Sequence, residues 1–464
     1  MLSQEQAQQR AARPERALSR WRMRRPPKIR SLPFIGPIRR FTGDPVPFLT
    51  EMRKKYGDAF RFPIVGYDLT CICGDDAIAL LHNDELLSTT ESMLVLQKAL
   101  KSPLPTFFDG PHHARYRRLH TKFLNRSLER ANRHIIIDCI RQQSEVWQPG
   151  DTFDVLKQAQ SQTVHVLSRI LNRDEFPFTH EELSLVVHSV FLAAYGRVPI
   201  WIALNNPRYK SVKKRMDDHF LQLVHKVRQD PELIENTMIG QYLASPPPEG
   251  SDEWSDDDLK IIPLIAYLAG FDTTAASAGF LLYRLLSNPT WLSRVREEYR
   301  ELPKDENGHV DPSQQVILDA VFQETSRINP PGALVMRYAT QDFEFQGYGI
   351  RRGDEVLIQI SSDHLDERYF TNPHQFDPSR FLSEDTAPLR RRVRTFGAGA
   401  HRCTGSVVGP LISKELVSYW VNHFDLELHP HDAKPKVMAL PFTQPMGLTV
   451  RVLGRRTVSR FDAT

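Results

Sequence analysis

Cys403 stands in the run Phe396-Gly-Ala-Gly-Ala-His-Arg-Cys-Thr-Gly405, behind a loop with glycines at 397 and 399 and ahead of a helix-spaced run from about Ser406 to His423. A thiol at a helix N-terminus meets free N–H groups and the positive end of the dipole, and both favour the thiolate, the form that ligates metals. The glycines allow positive φ and a close approach of backbone to a flat ring system. Phe396 can pack on such a ring, and His401 can reach an acidic group at its edge. For an isolated cysteine the ordinary alternative is a small buried side chain beside a flexible loop. The complete pattern Phe-x-x-Gly-x-x-x-Cys-x-Gly argues against it.

A second group with chemical potential is Ala269-Gly-Phe-Asp-Thr-Thr274. It lies inside a long helical segment that opens at Ser255-Asp-Asp-Asp258, a capping sequence with acid in the first turn, and stops at Asn288-Pro289. Pro263 inside the segment removes one hydrogen bond and predicts a local bend. Ala269 and Gly270 present a thin surface. Asp272 and Thr273 are an acid and an alcohol that can handle protons, although a threonine inside a helix commonly bonds back to the preceding turn.

The cysteine pattern resembles the heme-binding loop of the cytochrome P-450 family, the heme-thiolate monooxygenases, and the resemblance extends from about Pro33 to Val452. It implies a mainly α fold with small β-sheets, a triangular prism around a buried heme b, with Cys403 as the iron ligand. His113 and Arg117 in the basic run Gly110 to His120, together with Arg337 and His401, would then bind the propionates, while Phe396, Gly399 and Gly405 shape the loop. A solvated basic helix face is the plain alternative for His113 and Arg117. Thr273 would donate a hydrogen bond to oxygen as it is reduced, and Asp272 would relay protons from water. Glu324 and Arg327, three residues apart, with Arg380 from Asp377-Pro-Ser-Arg-Phe381, are expected to be a structural lock. Ala269, Gly270, Ala333, Leu334, Val335, Phe442 and Thr443 are expected to line an apolar substrate pocket. Residues 92 to 108 are expected as a loop over the heme, and Phe191 to Pro199 as a roof on the substrate channel.

The activity implied is insertion of one oxygen atom from O2 into an apolar organic substrate (a lipid, sterol, terpenoid or other secondary metabolite), with two electrons from a partner protein. Arg390, Arg391, Arg392 and Arg394, with Arg118 and Lys122, form a candidate docking patch for an acidic ferredoxin or flavodoxin; a solvated charged loop is the alternative. Two other readings are a peroxide-driven enzyme, for which the Asp272 and Thr273 pair would be unnecessary, and a heme sensor without turnover. Nucleotide binding fails because the glycine loop has neither a third glycine nor a phosphate lysine.

The rest of the chain bounds this reading. With 464 residues, 41% apolar and 25% charged, it can bury a large core, and a net charge of +4 is too small to argue for nucleic acid. Four cysteines in so long a chain make no disulfide framework, and Cys71 and Cys73 share one face of a strand. No uninterrupted apolar run approaches the roughly 18 to 20 residues of a membrane span, so a soluble, cytoplasmic monomer without an integral anchor is expected. Residues 1–30 read as a basic, disordered extension, with an organellar or peripheral-membrane role as alternatives, and 31–464 as one heme domain. Along that domain the patterns predict a helix over Pro47 to Tyr56, a hairpin of Ala59 to Ile64 and Leu69 to Cys73 turned near Gly66, helices through most of 138–241, an exposed linker over 245–258, and strands over 343–360.

Overall fold

The computed structural model describes residues 23–30, 36–64, 67–100, 108–194, 198–247, 251–305, 309–439 and 442–456. The hairpin turn at Gly66, residues 101–107 of the 92–108 stretch, part of the 191–199 roof and residues 1–22 lie outside the described residues.

Local signals set the first elements. Asp44 accepts the Val46 N–H and Pro45 fills the first turn of α1 (Pro45–Tyr56), which ends where Gly57 takes φ +86°. The strands β1 (Ala59–Ile64) and β2 (Tyr67–Ile72) then pair antiparallel, from Ala59 opposite Ile72 to Ile64 opposite Tyr67. Helix α2 (Gly74–Leu80) follows, then β3 (Leu87–Ser88) and a single turn, Thr89–Ser92, capped by Ser88. Where a loop was expected from residue 92, α3 (Leu94–Leu100) forms instead, because Leu96, Ala99 and Leu100 sit on one face and are buried. Next come α4 (Gly110–Phe123) and α5 (Arg126–Ser144), the latter capped by Asn125, whose side chain accepts from the Ser127 and Leu128 N–H groups.

After β4 (Thr152–Asp154) the helical bulk is built from α6 (Val155–Asn172), α7 (His180–Ala194) and α8 (Pro207–Gln229) around α9 (Asp256–Leu286). Ser255 caps α9 by accepting from the Asp258 N–H at 3.1 Å, and Asp256, Asp257 and Asp258 occupy its positive end. With 31 residues α9 is about 46 Å long. It has the length and hydropathy to cross a bilayer, but most of its apolar window is buried against other parts of the protein, as a core helix is. Helices α6, α8 and α10 (Val316–Ile328) pack on it.

The C-terminal third supplies β5 (Leu334–Ala339), the small hairpin β6 (Phe343–Phe345) and β7 (Tyr348–Ile350), β8 (Glu355–Gln359), the short α11 (Ala387–Arg392) and α12 (Val408–His423). Then follow β9 (Phe424–Leu428), β10 (Lys436–Ala439), β11 (Thr443–Met446) and β12 (Thr449–Arg455). The largest sheet runs β1-β2-β8-β5-β3, antiparallel except between β2 and β8; a second runs β4-β12-β9, and β10 pairs with β11. The architecture is therefore the expected one, helices with small sheets.

Three boundaries differ from expectation. Residues 23–30 belong to the folded body: Ile29 is buried, its N–H donates to Arg61 O at 2.7 Å, and Arg25 pairs with Asp354 at 2.6 Å. The 245–258 segment is not simply an exposed linker, because Trp254 is buried against Tyr116 and Tyr242 and its indole N–H donates to Ser245 O. A large aromatic side chain decided both its path and its cover. Finally, Leu334–Ala339 form a strand ahead of the 343–360 stretch in which strands were expected. Cys71 and Cys73 lie buried with their sulfurs 4.0 Å apart, as core residues of the sheet.

Candidate active site

The cysteine loop is held by its own backbone. Gly397 and Gly399 take φ of +73° and +74°, the Cys403 N–H donates to Phe396 O at 2.9 Å, and the Arg402 N–H donates to Gly399 O. At Gly399 a Cβ would stand 2.1 Å from Leu81 O, so the loop lies directly on the end of α2 and only glycine fits. Phe396 is half-buried. Helix α12 begins at Val408, five residues beyond Cys403, so the thiol is not at the helix tip. Burial accordingly raises its pKa above the ordinary thiol value, against the Gly405 N–H and the charges of Arg117 and Arg402, which favour the thiolate. Cys403 still carries accessible surface although protein surrounds it, the signature of a residue on an internal hollow.

Helix α9 shows the facing signature. Phe271, Asp272, Thr274, Ala275 and Leu268 are buried, whereas Ala269 is exposed and Ala266, Gly270, Thr273 and Ser277 are partly so. Those five positions recur at helical spacing and form one stripe, so between Ile261 and Leu282 the helix is open along a single face. Helix α12, which follows the cysteine loop, packs beside this face on buried Thr274. Ser413 Oγ donates to Thr274 O at 3.1 Å, and a Cβ on Gly409 would lie 3.7 Å from Thr274 Oγ1. The Thr273 hydroxyl sits on the open stripe and donates to Ala269 O at 2.9 Å, the back-bond of a helical threonine. Asp272 does not share that face. Its carboxylate is fully buried between α6 and α7, where Oδ1 accepts from Gln160 Nε2 at 2.8 Å and Oδ2 meets His188 Nε2 at 3.1 Å.

The four residues expected to bind propionates converge. His113 of α4 stacks on His401 with ring centres 3.9 Å apart, Arg117 Nη1 donates to Arg402 O at 2.6 Å, and buried Arg337 is close enough for its charge to act on His401. Burial opposes a charge on His401, but Asp109 and Asp84 outweigh it and hold the ring pKa above the ordinary histidine value. His113 is driven down to about 4, by burial first and then by the charges of His401 and Arg117. Of the stacked pair, His401 is therefore the ring that favours a proton and His113 the one that resists it. The two carboxylates lie 3.5 Å from His401 Nε2, contacts between charges and not well-formed hydrogen bonds, so this buried nitrogen has no hydrogen-bond partner among the described residues. Asp109 is itself tied down by the Thr89 and Thr90 N–H groups and by Ser88 Oγ. An orphaned buried donor, gathered cations and an accessible thiol suit a flat, acid-edged macrocycle, and the residues present fit heme. Asp84, Asp109, Gln160 and His188 carried no signal in the sequence, since each reaches the site from a distant segment.

The expected pocket residues divide. Neighbours on a strand point to opposite faces, so Leu334 packs with Ala333, Val46 and Leu365, while Val335 packs against the cluster that also takes Ala398 of the cysteine loop. The three therefore do not line one surface together. Phe442 meets Phe191 edge to face at 5.4 Å, and Thr443 is buried with its N–H donating to Pro331 O.

Glu324 and Arg327 on α10 have no exposed surface and make two parallel hydrogen bonds of 2.7 Å. Arg380 approaches Glu324 at 3.5 Å, and the Asp377 N–H also donates to Glu324. Arg327 donates further to the carbonyls of His364 and Pro373. His364 continues the chain by accepting the Arg394 N–H at 3.0 Å, which leads into the cysteine loop.

The arginine run is a correction. Arg390 pairs with Asp319, and Arg392 and Arg394 both pair with Asp75 and Asp363, at 2.7 to 3.0 Å. Only Arg391 of the four is exposed, alongside Arg118 and Lys122. Acidic groups folded in from α2, α10 and residue 363 neutralise what looked like a free basic patch.

The sequence profile of the family described as Cytochrome P450 matches residues 26–450. Abscisic acid 8'-hydroxylase 1 of Arabidopsis thaliana is 26% identical over 93% of this chain and 91% of its own. Sterol 14alpha-demethylase of Mycolicibacterium vanbaalenii is 24% identical over 85% of this chain and 89% of its own. Among solved structures, retinoic acid-bound cyanobacterial CYP120A1 superposes with a TM-score of 0.78 at 21% identity, covering 93% of this chain and 99% of that one. With a profile that spans most of the chain, the fold and the cysteine loop agree on one answer: the chain belongs to the cytochrome P450 family, the heme b monooxygenases.

Proposed function

We propose that Cys403 is the iron ligand, that the open stripe of α9 is the oxygen side of the site, and that the enzyme oxidises an apolar organic substrate. The observation that carries this reading is the pair of accessible surfaces inside a covered interior, Cys403 on one side and Ala269, Gly270 and Thr273 on the other, linked through α12 and Thr274. Bound heme supplies oxygen activation and the acceptance of electrons. The overall change is substrate C–H plus O2, two electrons and two protons to C–OH plus water.

The chain's own residues set the conditions for that change. Arg117, Arg402 and the Gly405 N–H favour the thiolate that burial disfavours. His113, Arg117, Arg337 and His401 hold the acidic edge of the macrocycle, with Asp84 and Asp109 leaving the arginine side as the one suited to a carboxylate. Thr273, whose hydroxyl sits on the open stripe, can release Ala269 O and donate there instead, and Asp272 stores the protons. Phe191 and Phe442 offer an apolar wall for the substrate. A lipid, sterol or terpenoid fits that wall, and the molecules named in the relatives, abscisic acid, a sterol and retinoic acid, are hydrophobic too. Electrons come from a donor protein of ferredoxin or flavodoxin type at Arg391, Arg118 and Lys122.

The test is the reduced, heme-loaded protein under carbon monoxide. A red-shifted Soret band of the thiolate type is expected, and its loss in Cys403→Ser. A fully loaded wild-type protein without that band overturns the assignment.

A further inference from the structure

We propose that His188 is a positioning residue for proton delivery, the group that loads Asp272 with protons from water. The inference rests on the monooxygenase reading above and deepens it. Asp272 has no exposed surface, and both its oxygens are engaged. Of its two partners, Gln160 is buried and its amide gives a hydrogen bond but does not ionise at ordinary pH. The other is an imidazole, whose side chain is 45% exposed. Among the described residues His188 is thus the wet end of a contact whose dry end is Asp272, and it adjoins the only one of the two partners' protons that can be passed on.

The purely structural alternative is a carboxylate anchored for stability. The Gln160 amide already satisfies one oxygen, and the two accounts differ in whether the second partner must carry a proton that can leave. A second consideration is placement. Asp272 precedes Thr273, whose hydroxyl sits on the open stripe of α9, while the Asp272 carboxylate itself meets His188 of α7.

The transfer balances simply. Water gives a proton to Nδ1 of His188 while the Nε2 proton passes to Oδ2 of Asp272, so that a neutral carboxylic acid and a neutral imidazole result and hydroxide is left to the solvent buffer. Once Asp272 has given its proton onward, water or a turn of the ring restores Nε2–H.

The variant His188→Gln separates the two accounts, because an amide nitrogen can occupy the place of Nε2 and donate to Asp272 but cannot relay. With thermal midpoint, carbon monoxide band and substrate spectral shift as in the wild type, coupled substrate oxidation should fall by about tenfold or more. The solvent deuterium isotope effect should rise, and electrons should appear as peroxide. Asp272→Asn should show the same phenotype, and the double variant should be no worse than either. A readout free of turnover is the 15N spectrum of the His188 imidazole, in which a protonated, hydrogen-bonded Nε2 is expected and should change in Asp272→Asn. His188→Gln with wild-type rate and isotope effect, or an imidazole signal indifferent to Asp272→Asn, overturns the proposal. A missing thiolate band in the wild type would instead strike the monooxygenase reading and leave the imidazole result standing.

Discussion

Replacing Glu324 by glutamine should be among the most damaging single changes that leave the cysteine loop untouched. The carboxylate makes two 2.7 Å bonds to Arg327, accepts the Asp377 N–H and faces Arg380, all without solvent. Without it the Arg327 guanidinium stays buried and uncompensated, a loss of about 3 to 5 kcal/mol for a broken buried pair. Set against a typical total stability of about 5 to 15 kcal/mol, that is a large share. In equilibrium terms it raises the unfolded population by about two to nearly four orders of magnitude. Replacing both members, Glu324→Leu with Arg327→Met, removes the stranded charge but leaves the carbonyls of His364 and Pro373 without their donor. Each costs about 1 to 3 kcal/mol, together about as much as the original loss, so the double variant should recover little of it. Urea unfolding of the three proteins measures this. The heme-loaded fraction should fall in parallel, since His364 passes the strain to Arg394 and the loop. A cost under about 1 kcal/mol for Glu324→Gln would mean that the pair is not closed off from water, and the reasoning would fail.

Gly399→Ala should prevent heme loading, because its Cβ meets the Leu81 carbonyl at 2.1 Å, while Gly397→Ala, with open space around it, should cost only the roughly 1 kcal/mol of an unfavourable positive φ; heme content per chain distinguishes them. Arg391→Glu should slow reduction by a surrogate ferredoxin at low salt with unchanged stability, whereas Arg392→Glu should lower the unfolding midpoint, having lost Asp75 and Asp363. Stability should also decline in mild acid. Burial lowers the pKa of His120 to about 4 and of His364 to about 3, so both are neutral in the folded protein, while the unfolded chain takes up protons near pH 6.5. Their stabilisation is therefore complete above about pH 6.5 and drains away toward pH 4, each by up to about 1.4 kcal/mol per pH unit. Denaturation midpoints between pH 7 and 4.5 should follow that slope, less steeply in His120→Gln, and a flat profile would contradict it.

What could be read from the residues was whatever is written locally. The cap at Ser255, the glycines at 397 and 399 and the triplet spacing of Glu324 and Arg327 each fix their own geometry within a few positions, and each stands as expected. What misled was local pattern whose outcome is decided at a distance. Arg390, Arg392 and Arg394 look like a free basic run until Asp75, Asp319 and Asp363 arrive from three separate segments. Asp272 and Thr273 are adjacent in the chain, yet a 100° turn per residue sends their side chains to different faces. Leu334 and Val335 part for the analogous reason in a strand. The dipole argument for Cys403 weakened because four residues intervene before α12, leaving burial to dominate the thiol.

The junction of Thr274 with Gly409 and Ser413 bears on which substrates the enzyme can admit. In the proposed site, floor and ceiling are carried by α12 and α9, which pack on each other with no side chain between Gly409 and Thr274 at this junction. Their separation is fixed by backbone and cannot be pried apart by a bulky guest. Breadth of selectivity must come from the side, where Phe191 and Phe442 can turn on their own rotamers, so variants that widen tolerance should be sought there and not along the two helices.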